Sequence, residues 1–191
     1  MNVPGTLSTN FLLQHATFNA IADGGLHGNG TSSEVTLTGG TAANSLSGFY
    51  LTGILGPNVN NWYARATIAL PDYATMAVTD AVFLGIGSGA AIAACGMALV
   101  SRGGVWRIES MGVTTPIVVT ASIDVNEHTW EVWRVGATLY MSLDGATPVS
   151  GPTTGISAAT TWYSMVSMFK SAATDAKTFT MRDWSFAVDA A

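Results

Sequence analysis

Asn126 to Gly145, N-E-H-T-W-E-V-W-R-V-G-A-T-L-Y-M-S-L-D-G, decides how the rest of the chain is read. Trp130 and Val132 alternate with Glu131 and Trp133, the two-residue period of a strand. Gly136-Ala137 follows as a short turn, because Gly supplies the positive φ that a type II′ turn needs at its first position. Leu139, Met141 and Leu143 then alternate with Tyr140 and Ser142. With Gly136-Ala137 as the loop, Trp133 pairs with Tyr140, Val132 with Met141 and Trp130 with Leu143. Trp130, Val132, Met141 and Leu143 then share one face. Glu131, Trp133, Tyr140 and Ser142 share the other. A slip of one residue would turn the apolar set toward water, so the agreement of both strands supports this register. Asp144-Gly145 supplies the next turn.

Similar runs lie on either side of the hairpin. A first strand is expected near His15 to Ala22. Ser33 to Thr38, Gly48 to Leu55, Trp62 to Leu70 and Val82 to Ile86 follow. Met97 to Val100, Val105 to Ser110 and Pro116 to Ile123 lead into the hairpin, and Trp162 to Lys170 and Lys177 to Val188 come after it. Asp23-Gly24-Gly25, His27-Gly28-Asn29-Gly30, Gly56-Pro57-Asn58 and Gly151-Pro152-Thr153-Thr154-Gly155 read as loops. Short strands with turn signals between them predict an all-β, two-sheet antiparallel sandwich. A chain of 191 residues holds such a sandwich as one domain. Met1 to Leu13, broken by Pro4-Gly5, reads as an N-terminal arm, and residues 14–191 as a single β-sandwich domain.

Composition narrows the partners. Charged residues make up 10% of the chain, well below the usual quarter, which suits a surface partly covered by other subunits. The net charge is −5, and the seven Lys and Arg are spread singly, so there is no basic stripe for nucleic acid. Cys95 is the only cysteine, which excludes an intrachain disulfide and makes it a small buried hydrophobe. The first ten residues lack a basic region followed by an apolar run, so no signal peptide is expected.

Three patterns imitate sites. Ala81 to Val100 is uncharged, long enough for a membrane span, and carries Gly85 and Gly89 at GxxxG spacing. Its glycines and its strand-like flanks favour two buried strands joined at Gly87-Ser88-Gly89, and no membrane. Within it, Gly85-Ile86-Gly87-Ser88-Gly89-Ala90 fits a dinucleotide fingerprint, with Glu109 as the acid of a second strand. A nucleotide domain needs further βα units, and the neighbouring segments are strand-like instead. His15, His27 and His128 lie far apart and form no ligand spacing, so no metal is expected. No Ser sits in G-x-S-x-G and Cys95 has no evident base.

His128-Thr129-Trp130-Glu131-Val132-Trp133-Arg134-Val135-Gly136, with Tyr140 to Gly145, resembles the hairpin of concanavalin A-like jelly rolls, the laminin-G, pentraxin and glucanase fold. Arg182 to Val188 is similar to the terminal strand of that fold, and Gly25 to Gly30 to its early loop. The resemblance implies an antiparallel two-sheet jelly-roll β-sandwich. Glucanases of this fold carry paired carboxylates in an E-x-D-x-x-E strand. That motif is absent, and Arg107-Ile108-Glu109-Ser110-Met111 is the nearest approach. Neither enzyme activity nor a cofactor is therefore expected.

Scarce charge, abundant Thr, Gly and Ala, and the short arm also resemble bacteriophage capsid decoration and fibre proteins. What this implies is a structural virion protein, assembled in a host cytoplasm. It would contact its own copies or a capsid lattice, with Phe11, Leu12 and Leu13 as subunit contacts. The alternative is a carbohydrate-binding module that uses Trp133 and Tyr140, the aromatic pair on the hairpin's outer face.

Overall fold

The computed structural model describes residues 26–28, 35–38, 45–50, 61–87, 94–113, 115–153, 163–170 and 177–188. The expected arm from Met1 to Leu13, the strand near His15 to Ala22 and the Ser88-Gly89 junction lie outside the described residues.

The strands are β1 (Leu26–Gly28), β2 (Val35–Thr38), β3 (Ser45–Tyr50), β4 (Asn61–Ala69), β5 (Ala81–Gly87), β6 (Ala94–Arg102) and β7 (Val105–Met111). Then come β8 (Val118–Val119), β9 (Glu127–Val135), β10 (Thr138–Leu143), β11 (Val149–Pro152), β12 (Tyr163–Lys170) and β13 (Thr178–Val188). Among the described residues the only helical turn is a 3₁₀ turn at Tyr73–Thr75. A seven-stranded sheet runs β1-β2-β13-β4-β9-β10-β11, and a six-stranded sheet runs β3-β12-β5-β6-β7-β8. Every described pairing is antiparallel. The late strands β12 and β13 each insert between earlier ones, so the end of the chain completes both sheets.

The central hairpin has the register its side chains demand. Trp133 pairs with Tyr140, Val132 with Met141 and Trp130 with Leu143, and Gly136 opens the turn at φ 58°. Trp130, Val132, Met141 and Leu143 point between the sheets, where they pack with Trp62, Ile68, Leu84, Met97 and Phe186. Apolar burial of this extent is the main force holding two sheets face to face. In β13 the inward residues Met181 and Trp184 are three apart, which a strict two-residue period cannot place on one face. A bulge between Arg182 and Ser185, with Asp183 at φ 53°, absorbs the extra residue.

The uncharged run from Ala81 to Val100 contains two strands and no helix among its described residues, with β5 antiparallel to β6. Gly85 stands opposite Gly96 in that pair. A Cβ on Gly85 would meet the Cys95 carbonyl oxygen at 2.5 Å and the Phe83 ring at 2.9 Å. A Cβ on Gly96 would meet the same ring at 2.8 Å. The glycines therefore form a floor on which Phe83 lies. Phe83, Ala98 and Met165 make a second buried apolar cluster on the outer side of the six-stranded sheet.

Three segments differ from the sequence reading. Gly151-Pro152, read as loop, belongs to β11, and Leu26–Gly28, read within a loop, is β1. Pro116 to Ile123 contracts to the two residues of β8. All three strands lie at sheet edges, where a strand pairs on one side only. An edge accepts the missing N–H of Pro152 and imposes little alternation, so its residues carry a weak strand signal.

Candidate functional site

The face of the seven-stranded sheet that points away from the core carries a row of aromatic residues. Tyr63 of β4 pairs in register with Trp133 of β9, which pairs with Tyr140 of β10. Residues in register have neighbouring Cβ atoms and share a face, so three rings line up across three strands. Trp133 and Tyr140 are stacked, with centroids 5.4 Å apart and planes 6° from parallel. Tyr63 leans toward Trp133, with centroids 6.4 Å apart at 43°. Both hairpin aromatics are half-buried, while Tyr63 is 6% exposed.

A polar row runs beside the rings, two residues along each strand. Arg65 pairs in register with Glu131, and Glu131 with Ser142. The Tyr63 hydroxyl donates to Glu131 Oε1 at 2.7 Å. Burial, and then this bond, hold the Tyr63 phenol well above its usual value near 10, so it stays protonated and donates. Glu131 is thus turned toward Tyr63, and Arg65 makes no ion pair among the described residues. The Ser142 hydroxyl donates to the Ala146 carbonyl at 2.8 Å, which ties it to the following turn. This face sets aromatic surface next to a fixed carboxylate and a guanidinium, a combination suited to a ligand with both C–H groups and hydroxyl groups.

Other polar groups serve the fold. Glu109, on the outer side of the six-stranded sheet, is buried and clamped by Arg102 and by Arg107 at 3.2 Å. The carboxylate nearest the glucanase pattern is therefore held by two arginines. His128 lies at the opposite end of β9 from Trp133. Its Nδ1 is 2.7 Å from Asp144 Oδ2 and its Nε2 is 3.2 Å from Asp124 Oδ1. The two aspartates face different ring nitrogens and do not converge on one point. Among the described residues no group of three or more His, Cys, Asp or Glu could hold a metal ion. No helix among them is long and apolar enough to cross a membrane. Cys95 is buried, and burial pushes its thiol up to about 11, with Arg134 of β9 nearby.

Of the residues singled out in the sequence, Trp133 and Tyr140 meet on one face, whereas Phe11, Leu12 and Leu13 lie outside the described residues. Sequence reasoning put Glu131 and Ser142 on their face, as the register of β9 with β10 bears out, but did not find Tyr63 or Arg65 as their neighbours. Tyr63 and Glu131 are 68 residues apart, and only the pairing of β4 with β9 joins them. The available signal was the outward parity of Tyr63 and Arg65 in a strand whose alternate residues, Trp62, Ala64 and Ala66, are apolar.

No protein-family model and no curated protein sequence matches this chain. Solved structures do. The carbohydrate recognition domain of Emp47p superposes with a TM-score of 0.62 at 8% identity, covering 91% of this chain and 89% of that one. The alginate lyase AlyC3, solved with dimannuronate, gives 0.61 at 7% identity, covering 81% and 74%. A sialidase gives 0.62 at 8% identity over 98% of this chain, which spans only 19% of the sialidase. Together with the sheet topology, these likenesses define the fold as a concanavalin A-like jelly-roll β-sandwich.

Proposed function

We propose that this protein binds carbohydrate on the outer face of the seven-stranded sheet, with Trp133 and Tyr140 as the stacking platform. The row of three rings across adjacent strands, two of them half-buried on the outer face, carries the reading. A pyranose ring presents an apolar C–H face to such a surface, while its hydroxyls reach the neighbouring Glu131 and Arg65. Further support comes from the fold, shared with a carbohydrate recognition domain and with a lyase that was solved holding a disaccharide. Binding is preferred over hydrolysis because two-carboxylate hydrolysis needs a second acid close by. Among the described residues the polar row offers Glu131 alone.

Glycan-array screening of the intact chain, followed by calorimetric titration of the hits, tests this. A hit that Trp133→Ala abolishes, with unfolding unchanged, supports the proposal. A hit that binds the Trp133→Ala protein equally well removes the platform from it. The virion role is a separate proposal, resting on composition and on Phe11, Leu12 and Leu13. Its test is deletion of residues 1–13 with measurement of oligomeric state.

A further inference from the structure

We infer that the glycan taken by this face is a neutral chain, and that Glu131 is the residue that excludes acidic sugars; this rests on the carbohydrate reading above. The rings of Tyr63, Trp133 and Tyr140 cross three adjacent strands, which lie about 4.8 Å apart. The ridge is therefore long enough for more than one sugar, lying across the strands. Such a chain has the polar row of Arg65, Glu131 and Ser142 along its flank.

Among the described residues, each guanidinium of that face is matched by a carboxylate. Arg65 stands in register with Glu131, and Arg182 is paired with Glu127. A ligand carrying a carboxylate on every sugar thus meets no net positive field. A carboxylate on the flank that faces the polar row comes within reach of Glu131. Like charges at that separation repel, and the repulsion is stronger beside buried rings than in open water. The whole chain, at −5, repels a polyanion at long range as well.

Glu131 also has something to offer a neutral sugar. Its Oε1 accepts from Tyr63, which fixes the carboxylate in place, and its remaining lone pairs can accept from sugar hydroxyls. Arg65 opposite it donates. An acceptor beside a donor matches a vicinal diol, whereas the carboxylate of an acidic sugar can only accept and gains nothing from Glu131.

The test is calorimetric titration of the intact chain with two sets of hexasaccharides, neutral glucan and mannan against galacturonan and mannuronan. A neutral hexasaccharide is expected to bind at least about ten-fold more tightly than either uronan, the size of one charge-assisted hydrogen bond gained or lost. Glu131→Gln keeps an acceptor for Tyr63 but removes the charge. It is expected to weaken the neutral ligand and strengthen the uronans, closing the gap. Circular dichroism and the unfolding midpoint check that this variant is folded, and Arg65→Gln serves as a second variant. Tighter binding of a uronan by the unaltered protein, lost in Arg65→Gln, overturns the inference and leaves the carbohydrate reading standing. No binding of either set at millimolar concentration overturns both.

Discussion

His128 Nδ1 and Asp144 Oδ2 lie 2.7 Å apart, joining the start of β9 to the turn that follows β10. Asp144 also accepts from the Thr129 backbone N–H at 2.7 Å and sits at φ 53°, so one carboxylate organises the turn. The Asp124 carboxylate faces the other ring nitrogen and is itself held by Asn126. Burial alone would lower the proton affinity of His128. The hydrogen bonds to Asp144 and Asp124, and the charges of both, outweigh it and hold the imidazole above its usual value near 6.5. The stability this adds is complete below pH 6.5 and is lost as pH rises through the higher folded-state value. Asp124 acts in the opposite sense. Backbone bonding to Asn126 lowers it below its usual value near 3.8, so its contribution fades as pH falls through the folded-state value. Urea unfolding should give a lower midpoint at pH 8.5 than at pH 6. The difference should shrink in His128→Asn, and an equal difference in that variant would remove His128 as its source.

Trp130 faces Leu143 across the hairpin, the two exposed by 0% and 1%. Replacing Trp130 with Ala empties a site between the sheets and should cost about 3–5 kcal/mol in denaturant unfolding. A cost below about 1 kcal/mol would mean that the ring is not in the core.

The outer aromatics should behave differently. Tyr140→Ala removes a half-buried ring from the solvent face, so it should change the unfolding free energy by less than Trp130→Ala does. It should also weaken any glycan that Trp133→Ala weakens. Calorimetry and urea unfolding on the same samples separate the two effects.

Cys95 should resist reagents. Its thiol is buried and pushed up to about 11, so almost none is thiolate near neutral pH. An aromatic disulfide reagent should label it only after unfolding, at the rate of the unfolding step. Immediate labelling of the folded protein would contradict its place in the core.

How far the sequence reached follows from how far each interaction spans. The β9–β10 register was legible because Trp130, Val132, Met141 and Leu143 alternate on both sides of a two-residue turn, so pattern and turn constrain each other locally. Interior strands such as β4 and β5 were legible for the same reason, since a core on one side enforces alternation. The edge strands β1, β8 and β11 were missed or overextended because pairing on one side demands less of their residues. The site was half legible. Trp133 and Tyr140 come from one hairpin, but Tyr63 and Arg65 arrive through a pairing of distant strands that nothing local dictates. The His128 bridge went unread for a different reason: the legible register already carries Asp144 back beside Thr129, but Asp144 reads as an ordinary turn residue.

The Gly85–Gly96 floor can be tested by Gly96→Ala. The added methyl would press on the Leu84 carbonyl oxygen and the Phe83 ring, and overpacking of this kind costs about 1–3 kcal/mol. The same contact sets the two outer surfaces of the sandwich apart in what they can afford to change. Beneath Phe83 no side chain of any kind fits, so variation there is closed off by the backbone itself. Along Tyr63, Trp133 and Tyr140 the side chains rest on a sheet whose inner face already supplies the cohesion, and an exchange of ring or charge leaves that cohesion intact. Descendants of this chain should therefore vary more along the outer face of the seven-stranded sheet than beneath Phe83 on the six-stranded one.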